Sequence, residues 1–180
     1  LKVPGKIAED EYEMLDLLLT ESGRKVTYTS VFARDDDPDG FKDTLRTIEP
    51  LVKRGAYPQA TPKPLISDLN MTNPFLFSHF DCVHPLFNAS REEQIRIYSD
   101  PQFRVELRDE LSKPSVAHNN WNYYEVQEAQ DPALKKYEGR SIASIAKELG
   151  KDPLDTFLDI AVQDKLHVRF LIVLLNGNDE

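Results

Sequence analysis

The sequence is poor in the residues on which several classes of protein depend. Its 180 residues include one cysteine, so no disulfide can form within the chain, and a reducing, cytoplasmic location is expected. It has 22 Lys and Arg against 31 Asp and Glu, a formal net charge of -9. This acidic balance argues against nucleic acid and against an anionic membrane surface as partners. No apolar run approaches the ~18 residues of a membrane span.

Sequence motifs that are typical of known catalytic mechanisms are also absent. The sequence has no glycine-rich phosphate loop and no nucleophile elbow, and no base can be assigned to Cys82. The chain starts at Leu1 and ends at Asn178-Asp179-Glu180, which has the composition of a helix start. We therefore expect a segment of a longer protein.

The first third of the chain alternates between helical and extended patterns. Residues 7–20 and 41–54 carry apolar stripes at helical spacing, and in the first of these Leu15, Leu18 and Leu19 are expected to share a face. Residues 26–32 (VTYTSVF) and 56–61 (AYPQAT) have strand composition. Alternation of helix and strand predicts a parallel α/β sheet, with a helix as the crossover.

The remainder of the chain is predicted to be mainly helical. Residues 62–87 contain several prolines and are predicted to be a loop. Ser90 with Glu93, Asp100-Pro101 and Asp152-Pro153 have the composition of helix starts. The expected helices cover residues 90–99, 101–111, 141–150 and 153–166. The run VRFLIVLL (residues 168–175) fits a buried strand or a continuing helix, and periodicity does not separate the two.

The stretch SHFDCVH (residues 78–84) concentrates side chains that ligate metals. His79, Cys82 and His84 could supply three donors to zinc, and Asp81 an oxygen. Structural zinc sites usually pair two separated ligand pairs, and no second pair is present here. The favoured interpretation is an aromatic-rich loop in which Cys82 packs as a small apolar side chain. An independent zinc module is the weaker alternative.

Candidate substrate-binding residues are found where the predicted parallel strands end. Functional groups of parallel sheets cluster at the carboxyl ends of the strands. For the first strand these residues are Tyr28 and Ser30, and for the second Gln59 and then Lys63. Gln and Lys side chains there could bind a carboxylate or a carbonyl group of a substrate. The alternative is that Gln59 bonds the backbone and Lys63 is solvated.

The order of several segments resembles the N-acyl-D-amino-acid deacylase branch of the amidohydrolase superfamily. The segments are GRKVTYTSVF, RGAYPQATPKP, NPF and SREEQIRIYSDPQFRVEL, the last with a D-P-x-x-R step. The stretch EGRSIASIAKELGKDPLDTFLDIAVQDKL (residues 138–166) is similar to the family's G-R-(S/T)-I-x-x-I-A-x-x-x-G-x-D-P-x-D-x-x-L-D-L pattern. The residues in register are Arg140, Ala146, Gly150, Pro153, Asp155 and Asp159. The resemblance extends over most of the chain, from about residue 11 to residue 178.

The resemblance implies a partial (β/α)8 barrel with a mainly helical insert. Residues 1–64 would be late barrel units, residues 65–137 the insert over the barrel mouth, and residues 138–180 a return to the barrel. Members of this family are zinc-dependent and hydrolyse the amide bond of N-acyl-D-amino acids or related compounds. A zinc-bound water attacks the carbonyl carbon, and an aspartate transfers the proton.

The sequence departs from the family pattern in its metal-binding motifs. The H-x-H pair and the S-D-G-G-A-H stretch with the catalytic aspartate are absent from residues 1–180. No metal ligand or catalytic residue therefore carries over, and the chain alone is expected to be inactive and to hold no cofactor. Because a few barrel strands leave unpaired edges, we also expect self-association. The alternative function is a non-catalytic interaction or oligomerisation domain.

Overall fold

The computed structural model describes residues 7–29, 31–34, 37–113, 117 and 119–177. It is mixed α/β, as the sequence predicts, and divides into two compact units. Unit 1 lies within residues 1–65 and 175–180, and unit 2 comprises residues 66–174. Among the described residues, no helix combines the length and the apolar character needed to cross a membrane.

Six α-helices and five strands make up the described chain. The helices are α1 Glu9–Ser22, α2 Gly40–Arg54, α3 Arg91–Ser99, α4 Pro101–Leu111, α5 Ile142–Leu149 and α6 Pro153–Gln163. The strands are β1 Val26–Thr29, β2 Ala56–Gln59, β3 Leu65–Asn70, β4 Tyr124–Glu128 and β5 Arg169–Leu175. Short 3-10 helices cover Phe75–Phe77, Asp81–Asn88, Trp121–Tyr123 and Lys135–Tyr137.

Unit 1 contains a β1–α2–β2 unit with a parallel sheet. Val26 lies opposite Ala56 and Thr29 lies opposite Gln59, so the predicted parallel pairing is confirmed. The helix α2 provides the crossover that parallel strands require. It ends at Arg54 and is capped by Gly55, whose φ of 110° is a left-handed conformation that glycine adopts readily. The core is small: Leu15, Leu19, Leu51 and Ala56 form one buried cluster, and Val31 and Ile48 are also buried.

The buried face of α1 is narrower than predicted. Leu15 and Leu19 are buried, but Leu18 is 46% exposed, so the expectation that all three leucines share the core face was wrong. The physical reason is the helical repeat. Leu15 and Leu19 are four residues apart and lie one above the other, whereas Leu18 is rotated away from Leu19 by one residue.

Unit 2 holds the larger core and a three-stranded sheet. The strand order is β3-β5-β4, and β4 and β5 are antiparallel, with Tyr124 opposite Ile172. Most of the run at residues 168–175 is thus a strand, Arg169–Leu175, rather than a continuing helix. The prediction of a loop over residues 62–87 was wrong, because this stretch contains β3 and two 3-10 helices. Strand β3 has only one buried side chain, Leu69, so its sequence lacks the alternation of apolar and polar residues that predicts a strand. It is a strand because it pairs with β5.

Helix starts in unit 2 follow the predicted caps. The side chains of Ser90, Asp100 and Asp152 accept hydrogen bonds from backbone N–H groups of the first turn, at 3.3, 2.9 and 3.1 Å. The end of α6 differs from the prediction, because the helix stops at Gln163 and not near residue 166. Lys165 and Leu166 have φ of 52° and 62°, and such left-handed residues end a right-handed helix.

Candidate functional site

The carboxyl ends of β1 and β2 border a mainly apolar cleft in unit 1. Its volume is about 380 Å³, and Val31, Phe41, Leu45 and Pro58 are among its lining residues. The crossover helix α2 begins beside it, which is the usual arrangement at the ligand-binding end of a parallel sheet. The folding of β1–α2–β2 thus produces a concavity at the end of the sheet where the sequence predicts function.

Asn176 holds together the chain segments that follow the two strands. Its side-chain Oδ1 accepts a hydrogen bond from the Ala33 N–H at 2.7 Å, and its Nδ2 donates to the Thr61 carbonyl at 3.3 Å. Its backbone N–H donates to the Ala33 carbonyl at 2.9 Å. Asn176 was not among the residues predicted from the sequence to have a role in the site. The only local signal is the Asn176-Gly177 pair after an apolar run, which is typical of a turn.

The two faces of the β1–β2 sheet differ in exposure. Tyr28 and Pro58 lie opposite each other on the partly buried face, which is also the face of Ala56 in the core. Thr29 and Gln59 lie opposite each other on the exposed face. Successive side chains along a strand alternate between the faces, so this difference follows from the register. The exposed face carries polar groups at the carboxyl ends of both strands.

The described residues among the four predicted substrate-binding residues, Tyr28, Gln59 and Lys63, are not among the lining residues of the cleft. Gln59 is exposed on the open face of the sheet, and Lys63 is exposed in the segment that follows β2. The Lys63 N–H donates to the Thr61 hydroxyl at 3.2 Å, which orders this turn. Tyr28 points to the opposite face of the sheet from Gln59. Ser30 lies outside the described residues.

Tyr28 has the surroundings of a packed residue. Its hydroxyl is buried and has no hydrogen-bond partner among the residues that the structure describes. Burial raises the pKa of this hydroxyl, because the ionised form loses more solvation than the neutral form. An unpartnered buried hydroxyl lowers the stability of the folded state. Tyr28 therefore contributes a ring to the core of unit 1 at the cost of an unsatisfied polar group.

The side chains of the SHFDCVH stretch are engaged in separate contacts. The His79 ring packs against Phe80, with the ring centroids 4.0 Å apart. The His84 Nε2 lies 3.0 Å from the Ser78 carbonyl. Burial, assisted by Glu110 and Glu106, raises the pKa of the Cys82 thiol to about 11, which keeps it protonated at neutral pH.

These contacts do not fit a zinc site. A zinc ligand set requires three or four donors directed at one point, with the cysteine as thiolate. In the part of the chain that the structure describes, no group of three or more His, Cys, Asp or Glu side chains is arranged to hold a metal ion. The donors present in residues 78–84 are thus not arranged as a zinc ligand set in this structure.

Two motifs that are distant in the sequence are joined by ion pairs in unit 2. Arg104, the arginine of the D-P-x-x-R step, donates to Asp155 at 3.0 Å and to Asp159 at 2.8 Å. Its Nε also donates to the Tyr98 carbonyl at 2.9 Å. Arg108 bonds Asp152 and Asp155 beside it, at 3.0 and 3.2 Å. These charged residues of α4 and α6 therefore stabilise the packing of the two helices.

Comparison with models of protein families, with curated proteins and with solved structures gives no match for this chain. Functional assignment consequently rests on the residues and on the geometry described above.

Proposed function

We propose that this chain is a segment of a metal-dependent amidohydrolase of the N-acyl-D-amino-acid deacylase type. In this proposal residues 1–64 are late units of a (β/α)8 barrel, residues 65–137 form the insert, and residues 138–180 return to the barrel. The supporting observation is the β1–α2–β2 unit, in which one sheet face is partly buried and the other is exposed. The inner face of such a barrel is the sheet face opposite the helices.

Gln59 has the most favourable position for contact with a substrate. It lies at the carboxyl end of β2 on the exposed face, opposite Thr29. Its amide N–H groups can donate to a substrate carboxylate or carbonyl, and in this proposal the exposed ammonium of Lys63, four residues further along the chain, adds attraction for a carboxylate. Tyr28 is on the other face and is left out of this contact. Ser30 stays a prediction from the sequence.

Zinc would supply the activated water in the complete enzyme. We assign no zinc ligand to this chain, because the described residues do not fit one. The chain's own contribution in this proposal is to bind and orient the N-acyl amino acid, and the chain alone is expected to be inactive.

The reading frame on both sides of residues 1–180 provides the first test. An H-x-H motif upstream and an S-D-G-G-A-H motif downstream support the amidohydrolase proposal, and their absence contradicts it. The full-length protein is then assayed for release of free amino acid from N-acetyl-D-methionine and from its L enantiomer. We expect Gln59→Ala to lower kcat/KM at least about tenfold, equivalent to one lost hydrogen bond to a charged group. The exposed Gln102→Ala is the matched control and is expected to leave kcat/KM unchanged.

The second candidate function, an interaction or oligomerisation domain, is favoured by the sheet edges of unit 1. Among the described residues, no further strand pairs with β1 or β2. The Val26 N–H bonds the Gly55 carbonyl, so the backbone groups of the next residue, Thr27, point to the outer edge of β1. An unpaired edge can accept a strand from a second copy.

Sedimentation velocity from micromolar to near-millimolar concentration tests this self-association. We expect a concentration-dependent dimer that is weakened by Thr27→Lys, because a charged edge residue opposes strand pairing. Thr27→Val keeps the edge and serves as the control. A monomer at all concentrations would contradict the oligomerisation proposal.

A further inference from the structure

Unit 2 contains a second concave surface, formed by β3, residues 73–79 and Leu174. Its volume is about 370 Å³. This lies within the range of ~300–1,000 Å³ that is usual for small-molecule sites. Apolar side chains of Leu69, Leu76 and Leu174 contribute to its wall, and Phe75 is 74% exposed there. An exposed aromatic ring beside an apolar wall is a surface on which a ligand can pack.

Three polar residues of this cleft have unused hydrogen-bonding capacity. Asn73, Ser78 and His79 all line it. Within the described residues, their side-chain amide, hydroxyl and imidazole nitrogens make no hydrogen bond. His84 in the same segment does have a partner, the Ser78 carbonyl. Ser67, which also lines the cleft, donates from its hydroxyl to the Asp68 carbonyl at 3.2 Å, so the capacity for a ligand lies with Asn73, Ser78 and His79.

The charged residues at the cleft disfavour anionic ligands, because Asp68 is negative and the neighbouring Arg169 is already paired with Asp68 and Glu128, at 3.9 and 3.4 Å. No Lys or Arg is among its described lining residues, whereas Asp68 is one of them. Desolvation lowers the pKa of His79 and outweighs the opposite effect of Glu110, so the ring is uncharged at neutral pH. A neutral imidazole offers one donor and one acceptor. The site therefore presents both donors and acceptors, but no positive charge that could pair with a carboxylate or phosphate.

We propose that this cleft binds small uncharged amides that carry an aromatic or aliphatic group. The amide N–H and carbonyl of such a ligand match the free acceptors and donors of Asn73, Ser78 and His79. The apolar group packs against Leu69 and Phe75. This proposal does not depend on the amidohydrolase proposal, because all residues of the cleft belong to unit 2.

Titration of the ¹⁵N-labelled 180-residue chain with benzamide tests the proposal by two-dimensional NMR. We expect saturable shifts of the amide signals of residues 67–79, with a Kd of about 1 mM for a ligand of this size. Benzoate has the same size and a negative charge, and we expect it to bind at least about tenfold more weakly, because no cation in the cleft offsets its desolvation.

Two variants connect the binding to the named residues. His79→Phe keeps a ring against Phe80 and removes both ring nitrogens, and we expect about tenfold weaker binding of benzamide. His167→Phe makes the same change outside the cleft and is expected to bind like the wild type. Ser78→Ala provides a second test in case the spectrum of His79→Phe shows a loss of folding. Equal affinity for benzoate, wild-type affinity in both cleft variants, or no saturable shift would each overturn the proposal.

Discussion

The two units differ in how completely each uses its own surfaces. Unit 2 buries a large cluster in which Tyr98, Tyr124, Phe77, Phe80, Phe157 and Phe170 are almost fully enclosed. Unit 1 buries a cluster of four residues and exposes one face of its two-stranded sheet. A two-stranded sheet with one exposed face is a marginal element by itself. We infer that most of the stability of the chain comes from the core of unit 2. Unit 1 has an exposed sheet face that is available to bind a ligand or a partner.

The ion pairs of the two units differ in how exposed they are. In unit 2, Arg104 connects two carboxylates of α6, and its side chain is only 15% exposed. In α2 of unit 1, the pairs of Asp43 with Arg46 and of Glu49 with Lys53 are within one helix and are well exposed. Exposed pairs of this kind contribute ~0–1 kcal/mol. Unit 1 also has a pair between helices, Arg54 of α2 with Asp16 of α1, but both side chains are about half exposed, so charge pairing contributes more to tertiary packing in unit 2.

The largest expected effect comes from the core of unit 2. Phe157 is fully buried and contacts the rings of Phe77, Trp121 and Phe170, so Phe157→Ala is expected to lower the free energy of unfolding by about 3–5 kcal/mol. Urea unfolding followed by the fluorescence of Trp121, the chain's only tryptophan, measures the loss in unit 2. The control Leu51→Ala lies in unit 1. It is expected to lower the urea midpoint measured by far-UV CD and to leave the midpoint measured by Trp121 fluorescence nearly unchanged. Equal changes in the urea midpoint of Trp121 fluorescence in both variants would show that the two units do not differ in their contribution to stability.

Arg104→Ala is expected to have the next largest effect, about 2 kcal/mol. The substitution removes the partner of two partly buried carboxylates and the donor to the Tyr98 carbonyl. The same urea experiment measures it. Arg96→Ala, at an exposed position of α3, is the matched control and is expected to fall within ~0.5 kcal/mol of the wild type. An equally small loss for both variants would mean that the network does not stabilise unit 2.

Tyr28→Phe is expected to stabilise unit 1 by up to ~1 kcal/mol, because it removes a buried hydroxyl for which the described part of the chain offers no partner. Hydrogen exchange of the Val31 amide, which bonds the Gln59 carbonyl at 3.2 Å, reports on this unit. Tyr57→Phe is the control, since that ring is 45% exposed and its hydroxyl can reach water. Faster exchange in Tyr28→Phe would indicate that the hydroxyl has a stabilising role.

The smallest expected effect is the pH dependence of unit 2. Burial by itself would raise the pKa of Asp159, but the bonds from Lys151 and Arg104 outweigh it and hold the pKa below its ordinary value of 3.8. A lowered folded-state pKa stabilises the protein above the unfolded-state pKa, and this stability is lost as the pH falls through the folded-state value. We therefore expect Asp159→Asn to be less stable than the wild type at neutral pH, with a difference that shrinks below about pH 4. A constant difference in urea midpoint would contradict this.

Local signals in the sequence were sufficient for much of the helical structure. Ser90, Asp100 and Asp152 cap helices because a side-chain oxygen reaches an N–H only two or three residues ahead. The parallel pairing of β1 with β2 followed from a helix between two short β-branched or aromatic stretches. In the candidate site, the position of Gln59 at the end of β2 was predictable for the same reason. The assignment of Tyr28 to the same surface depended on the register between strands, which no local pattern specifies.

Local patterns in the sequence specify where most helices start and the βαβ order of unit 1. The composition alone fixes the acidic net charge and rules out a disulfide within the chain. Only the tertiary structure decided the pairing of β3 and β4 with β5, the contact of Arg104 with Asp155 and Asp159, and the bonds of Asn176 to Ala33 and Thr61. Asn176 and Ala33 are 143 residues apart in the chain. The physical reason is the range of the interactions. Caps and helical periodicity act within one or two turns, whereas these contacts form only after distant segments have packed and water has been excluded from between them.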